Sequence, residues 1–283
     1  MGNKKSIKQD RELVNTFKLI AQAYQEISLL KINHVRETVL ASRDFLTALS
    51  EVYLDVKSSY AHQIALHMKE RKSVKKDKTL IVLLSANTKL FGSIVREAFD
   101  AFEKAVKDDM DVMIIGKLGY ELFREHFPGR NSLYFELSDS TYSVEDLKPI
   151  MFHILKYEKV IVYHGEYQTI LHQGVSVSNI TGQALFEEGN APVRQAQYLY
   201  YFEPSLETIL TFFETQIFAN LFKQTLDESN LARNASRVKA MEQTMNNLAD
   251  EEKRLKILQR KINRKIENKK QIDRYAGSRM WTG

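Results

Sequence analysis

From Asn3 through Phe91, and again from Ser205 through Ala276, the chain contains no glycine and no proline. Strands joined by turns need those residues far more often than that. The two stretches therefore read as long helices, and an all-β fold is excluded. At 43% hydrophobic and 27% charged residues, the chain has the composition of a folding protein rather than a disordered one.

Periodicity sharpens both ends. Leu13, Phe17, Ile20, Tyr24 and Ile27 recur in steps of four and three, which predicts a coiled-coil seam on the first helix. His34 takes the next seam position, and the stripe then broadens through Phe45, Leu46, Leu49 and Val52. Near the other end, Met241, Met245, Leu248, Leu255, Ile262 and Ile266 keep the same spacing, with Glu252 and Gln259 interrupting. Seventy helical residues span about 105 Å, whereas a compact domain of this size is only about 40 Å across. Two such helices are expected to bury their seams against each other as an antiparallel coiled coil.

The middle of the chain changes period. Thr79–Ser85 (TLIVLLS) is a short continuous apolar run, the mark of a strand buried on both faces. A helical pattern follows from Phe91 to about Val106, then a second strand at Asp111–Gly116 and a helix at Tyr120–His126. Further strands are expected at Ser132–Leu137, Val160–Tyr163, Thr169–Val177 and Tyr198–Phe202, the later ones close enough for an antiparallel edge. Strand–helix alternation predicts a parallel-containing, Rossmann-like α/β domain at the base of the coiled coil. The boundaries read as helix 1–68, charged linker 69–78, α/β domain 79–203, helix 204–276 and tail 277–283.

The net charge is +5, but Lys253–Arg279 alone carries eleven Lys/Arg against two acids, a net +9 that leaves the rest at −4. The basic character belongs to the last helix, so its partner is what needs explaining. Cysteine is absent, which excludes disulfides, thiolate nucleophiles and Cys-based zinc sites. The first residues are basic without an apolar core, unlike a signal peptide, and no apolar run is long enough to span a bilayer.

No catalytic motif is present: neither a P-loop, nor G-x-G-x-x-G, nor G-x-S-x-G. Ser85–Ser93 (SANTKLFGS) follows the first strand, where doubly wound sheets bind ligands. With Gly92 alone it reads as a plain strand-to-helix connection rather than a phosphate cradle. His62 and His67, five apart, do not share a helix face as zinc ligands would. No cofactor and no metal are expected.

Four segments carry a resemblance to the gamma subunits of F-type ATP synthases. Asn15-Thr16-Phe17-Lys18-Leu19, followed by Lys31, resembles the family's N-T-x-K-I and a later lysine. Val112–Gly119 (VMIIGKLG) is similar to its apolar strand and G-x-K-G. Tyr201–Ile217 (YFEPSLETILTFFETQI) is similar to its Y-E-P-S/D-x-E-x-L-L and E-S-Q-[LI], and Arg237-Val-Lys-Ala-Met241 to its R-M-x-A-M. The chain departs from the family in its polar end, Lys269 onward, and in the single Gly92 of its first loop.

The resemblance implies a non-catalytic rotor shaft, one copy per complex. Its coiled coil would lie inside a ring of alpha and beta subunits, its α/β domain on the c-ring beside epsilon. Such a subunit couples c-ring rotation to conformational cycling of the catalytic ring in a proton-translocating synthase. It lies peripherally at the cytoplasmic face of the cell membrane. The ring of the family carries acids facing the shaft, so Arg254, Lys256, Arg260, Lys261, Arg264 and Lys265 are the expected contacts, with Lys18 and Lys31 on the opposing helix. A specialised F-type-like ATPase shaft is the nearest alternative. A basic coiled-coil protein binding nucleic acid is the alternative from another class; the resemblance to gamma subunits implies no nucleic-acid partner.

Overall fold

The computed structural model describes residues 2–59, 76–139, 142–180, 203 and 205–279. The chain forms α1 (Gly2–Ser59), β1 (Lys76–Leu84), α2 (Ile94–Ala105), β2 (Asp111–Ile115) and α3 (Lys117–His126). Then come β3 (Leu133–Phe135), α4 (Val144–Ile154), β4 (Tyr157–Tyr167), β5 (Gln173–Asn179) and α5 (Leu206–Arg279). The glycine- and proline-free ends are thus helices of 58 and 74 residues. β1 begins inside the expected linker, at Lys76. The anticipated strand Tyr198–Phe202 and the pair His62 and His67 lie outside the described residues. The chain divides into two units, Ser28–Arg237 and Met1–Ile27 with Val238–Gly283, and both long helices contribute to both.

In the larger unit the strands form one sheet in the order β3-β2-β1-β4-β5. β1 pairs in parallel with β2 and β4, β2 in parallel with β3, and β4 antiparallel with β5. This is the doubly wound order with an antiparallel edge, as the spacing of the later strands predicts. β1 buries alternate side chains on opposite faces. Leu80, Val82 and Leu84 join Leu147, Ile150 and Ile154 of α4 and Phe218, Phe222 and Leu226 of α5. Ile81 and Leu83 join Phe99 and Phe102 of α2 and Phe123 of α3. Because both faces are covered, the strand reads as a continuous apolar run. The sequence reading missed α4, although Ser143 and Asp146 form a capping box at its start. Pro149 inside the helix hid the pattern.

In the smaller unit, α1 and α5 pair through a seam that corrects the one expected on α1. Leu13, Phe17, Ile20, Tyr24 and Ile27 are 36–55% exposed, while Ile7, Val14 and Ala21 are buried one heptad apart. Between them Arg11, Lys18 and Gln25 are half-buried. Arg11 Nη1 donates to Gln259 Oε1 at 2.7 Å, and Lys18 Nζ lies 4.0 Å from Glu252 Oε2. One heptad forward on α1 is therefore one heptad back on α5, which fixes an antiparallel register. To within a residue, that register sets Val14 level with Leu255 and Ala21 level with Leu248, interleaving apolar rows with polar ones. The expected α5 seam holds from Met241 to Ile262; Ile266 is 38% exposed. Glu252 and Gln259, which interrupt it, meet polar partners on α1. Polar seam residues specify register at a cost in stability.

Candidate functional site

Two features concentrate the functional side chains, one in each unit. In the larger unit, α5 is buried on every side from Ser229 through Val238. The loop after β1 wraps it. Arg233 Nη1 donates to the Ser85 carbonyl. Arg237 donates from Nε to the Leu90 carbonyl at 3.1 Å and from Nη2 to the Lys89 carbonyl at 3.2 Å. Its guanidinium also sits 3.6 Å from the centroid of the Phe91 ring, a cation–π contact strengthened by desolvation.

The loop is shaped for this contact. Leu90 takes φ 72°, a costly conformation for a bulky residue, and Gly92 takes φ 67°. A Cβ at Gly92 would stand 2.5 Å from Ser236 Oγ, so the loop approaches α5 too closely for any side chain there. Asp139 ties down the loop's other end by accepting from the Asn87 and Thr88 backbone N–H groups at 3.0 and 2.8 Å. Asn87 Oδ1 accepts from Lys117 N, and its amide donates to the Leu137 carbonyl. The N–H groups that a phosphate would need are engaged by a carboxylate of the chain itself. Ser85–Ser93 is thus a strap between β1 and α2 that holds α5.

Around the strap three cations, Arg233, Arg237 and Lys31, share the field of one carboxylate, Asp139. Burial pulls the Arg233 guanidinium below its usual range, and Asp139 opposes the shift. Lys31, expected as a partner contact, lies in this unit; burial and then Arg237 lower its pKa, with Asp139 opposing. Tyr142 donates its hydroxyl to Asp227, which also lies 3.2 Å from Lys223 Nζ. Burial and the Asp227 charge push the Tyr142 phenol far above its usual value. The Arg237…Met241 motif does not include Arg233, one turn earlier on the same face; the i, i+4 spacing of the two arginines is the signal for it.

In the smaller unit the expected cations divide into two sets. Lys18 is drawn into the seam beside Glu252, and Lys256 Nζ lies 2.5 Å from the same carboxylate. The Lys256 hydrogen bond and charge hold the Glu252 carboxyl below the usual range. Arg254 lies 3.2 Å from Glu251 one turn away, with its side chain 82% exposed. Arg260, Lys261, Arg264 and Lys265 are exposed, with no ion pair to another described residue. Of the six α5 cations, Lys256 flanks the seam through Glu252, and the other five are exposed away from it. Among the described residues no cluster of three His, Asp or Glu could hold a metal ion, and no helix is long and apolar enough to cross a membrane.

The family model described as ATP synthase matches residues 3–265. The chain belongs to the ATP synthase gamma chain family. The gamma chain of Ruthia magnifica is 21% identical over 92% of this chain and 93% of its own length. That of Cytophaga hutchinsonii is 23% identical over 91% of each. Among solved structures, a chain of the Euglena gracilis mitochondrial ATP synthase, in an assembly of OSCP, F1 and c-ring, shares the fold. It has a TM-score of 0.66 and 14% identity, over 95% of this chain and 92% of that one. A chain of the Euglena gracilis rotor gives a TM-score of 0.62 at 14% identity, over 93% and 99%. The chain is a gamma subunit of the F-type central stalk, part of an ATP synthase complex.

Proposed function

We propose that this gamma chain is the shaft that couples c-ring rotation to conformational cycling of the alpha/beta ring in a proton-translocating ATP synthase. It carries no catalytic site of its own and is present once per complex. It works at the cytoplasmic face of the cell membrane, touching alpha, beta, epsilon and the c-ring. The observation that carries the reading is the strap around α5. A shaft must not turn inside the body that drives it, and Arg233, Arg237 and Gly92 key the helix to the sheet by hydrogen bonds and close packing. The same helix continues to Arg279. Its six exposed cations, Arg254, Lys256, Arg260, Lys261, Arg264 and Lys265, are the surface offered to ring acids, with Lys18 and Lys31 contributing from α1. Rotation then biases each bistable ring site by differential contact.

Co-expression with alpha and beta subunits tests this directly. The chain is expected to co-purify with both and to support ATP hydrolysis coupled to rotation. Replacing the six α5 cations by Gln is expected to lower coupling several-fold while leaving the fold intact, since exposed substitutions cost within about 0.5 kcal/mol. Unchanged coupling removes the six from the mechanism. Steeply salt-dependent binding to nucleic acid, with no alpha or beta recovered, overturns the reading.

A further inference from the structure

At the end of β1 the strap turns several hydrogen-bond donors onto one carboxylate. Asn87 N donates to Asp139 Oδ1 and Oδ2 at 3.1 and 3.0 Å. Thr88 donates to Oδ2 from its N at 2.8 Å and from its Oγ1 at 2.9 Å. Successive backbone N–H groups aimed at one acceptor make an anion-binding concavity. The C-terminal end of a parallel strand is also where doubly wound sheets take ligands. A cation backs the seat, since Arg237 Nη2 donates to Thr88 Oγ1 at 3.4 Å. Lys31 and Arg233 both feel the Asp139 charge. Three cations thus meet a single negative charge, because Asp227 already has Lys223 at 3.2 Å. Two buried donors of the cluster, Arg233 Nε and Ser85 Oγ, have no hydrogen-bond partner among the described residues; Arg233 is 9% exposed and Ser85 5%.

We propose that this end of the sheet is a binding site for a compact oxyanion of the inorganic phosphate class, and that Asp139 is the internal ligand that keeps it closed. Charge chooses the ligand. A carboxylate brings one negative charge, whereas phosphate near neutral pH carries close to two and offers more acceptor oxygens. It matches three cations more nearly and has acceptors to spare for donors that the carboxylate leaves unused. Access is open, because Thr88 and Lys89 are exposed and Asp139 is only half-buried. The space that Asp139 would vacate is a carboxylate's, which suits a free oxyanion rather than the phosphate of a nucleotide. Asp139 comes from the segment after β3, 52 positions beyond Asn87, and closes the seat by folding back on it. There it fixes the Asn87–Thr88 end of the strap, while Arg237 fixes the Lys89–Leu90 end. An empty seat therefore loosens the grip on α5, and phosphate in the place of the carboxylate restores it. The site belongs to the chain alone and does not depend on the shaft reading.

Thermal unfolding of the whole chain tests the site, in about 20 mM sodium phosphate and in sodium chloride of the same ionic strength. Asp139→Ala is expected to unfold about 5 °C below the parent in chloride and to regain at least half of that loss in phosphate. The parent, its seat filled, should differ by less than about 1 °C between the two salts, whose screening is matched. Asp139→Asn fills the seat without the charge, so it should be destabilised yet gain no more from phosphate than the parent. Adding Thr88→Val to Asp139→Ala should abolish the recovery; recovery that persists there overturns the proposal. Equal recovery of the Ala and Asn variants puts the phosphate elsewhere, on the exposed α5 cations, and overturns it too. So does an Ala variant that phosphate helps no more than chloride. Should Asp139→Ala prove too unstable to purify, refolding yield replaces melting. About three-fold more folded chain in phosphate is then expected, and equal yields overturn the proposal.

Discussion

The same helix, α5, is held in two different ways. Between Ser229 and Val238 it is enclosed on every side, packed by Phe218, Phe222 and Leu226 just before and clasped through Arg233 and Arg237. Between Lys253 and Asn263 it keeps one half-buried seam, and from Arg264 to Tyr275 it is exposed. The first stretch resembles a domain core; the second is a two-helix seam whose alternate rows are polar. A component that transmits torque needs a rigid grip where it is driven. Where it meets a changing partner it needs an adaptable surface, with register set by polar pairs rather than by depth of burial.

The largest effect should come from the gripped region. Phe222→Ala empties a fully buried site and is expected to cost about 3–5 kcal/mol in denaturant unfolding. Val14→Ala, the matching deletion in the seam, should cost only about 1–2 kcal/mol. Native-state hydrogen exchange, which resolves the two units, would break the contrast if the seam proved the more costly site.

Next in size is Arg237→Ala. It removes hydrogen bonds to the Lys89 and Leu90 carbonyls and the contact with Phe91, at an expected cost of about 2–3 kcal/mol. Arg237→Lys keeps the charge but not the fork, so it should recover less than half of that loss. Coupling efficiency in the reconstituted complex should fall in the same order, alanine below lysine below the parent.

Protonation gives a third, smaller contrast, confined to the sheet. Burial, followed by the bond to Asp111, pushes the Tyr157 phenol up to about 12, from about 10 in an unfolded chain. The unfolded state thus ionises first, and stability present below about pH 10 is lost as pH rises toward about 12. Tyr157→Phe should remove that alkaline loss. His164 works in the opposite sense. Its ring is buried between the Gly165 carbonyl and Ser178 Oγ, and burial lowers its pKa against the opposing bond to Gly165 and the charge of Glu166. Its stabilising share is present above about pH 6.5 and shrinks as the pH falls, when the unfolded chain takes up the proton first. Thermal unfolding of His164→Gln at pH 7 and pH 5 should show a smaller acid decline than the parent.

The smallest effect belongs to the seam. Glu252→Gln is expected to cost less than about 1 kcal/mol, because its lysine partners remain largely solvated. Replacing Lys18 and Glu252 together by Leu should instead raise the stability of the smaller unit and loosen its register, visible as mixed cross-linking positions between α1 and α5. A stability loss from the double replacement would mean that the polar rows do more than set register.

The sequence was most readable where one chain segment decides its own structure. Missing Gly and Pro made α1 and α5 helices, and the apolar run at Thr79–Ser85 made β1 a central strand. It was least readable where the partner decides. Five large apolar residues on α1 marked a face, but Ala21 and the long polar stems of Arg11 and Lys18 mark the seam, because Gln259 and Glu252 stand opposite. The strap shows the same limit. Ser85–Ser93 reads correctly as a connection, yet its grip on Arg233 and Arg237 joins residues about 150 positions apart in sequence. Half-buried Lys31 feels the charges of Arg237, Asp139 and Arg233, a setting that its place in the sequence does not announce.

The most direct test of the shaft account is single-molecule rotation. The chain has no cysteine, so one introduced at an exposed position of the α/β unit, Lys104→Cys on α2, is a unique handle for a probe. With the alpha/beta ring fixed to a surface, the account predicts stepwise, one-directional turning of the handle on addition of ATP. Continued ATP hydrolysis by a ring that retains the chain while the handle stands still would contradict it.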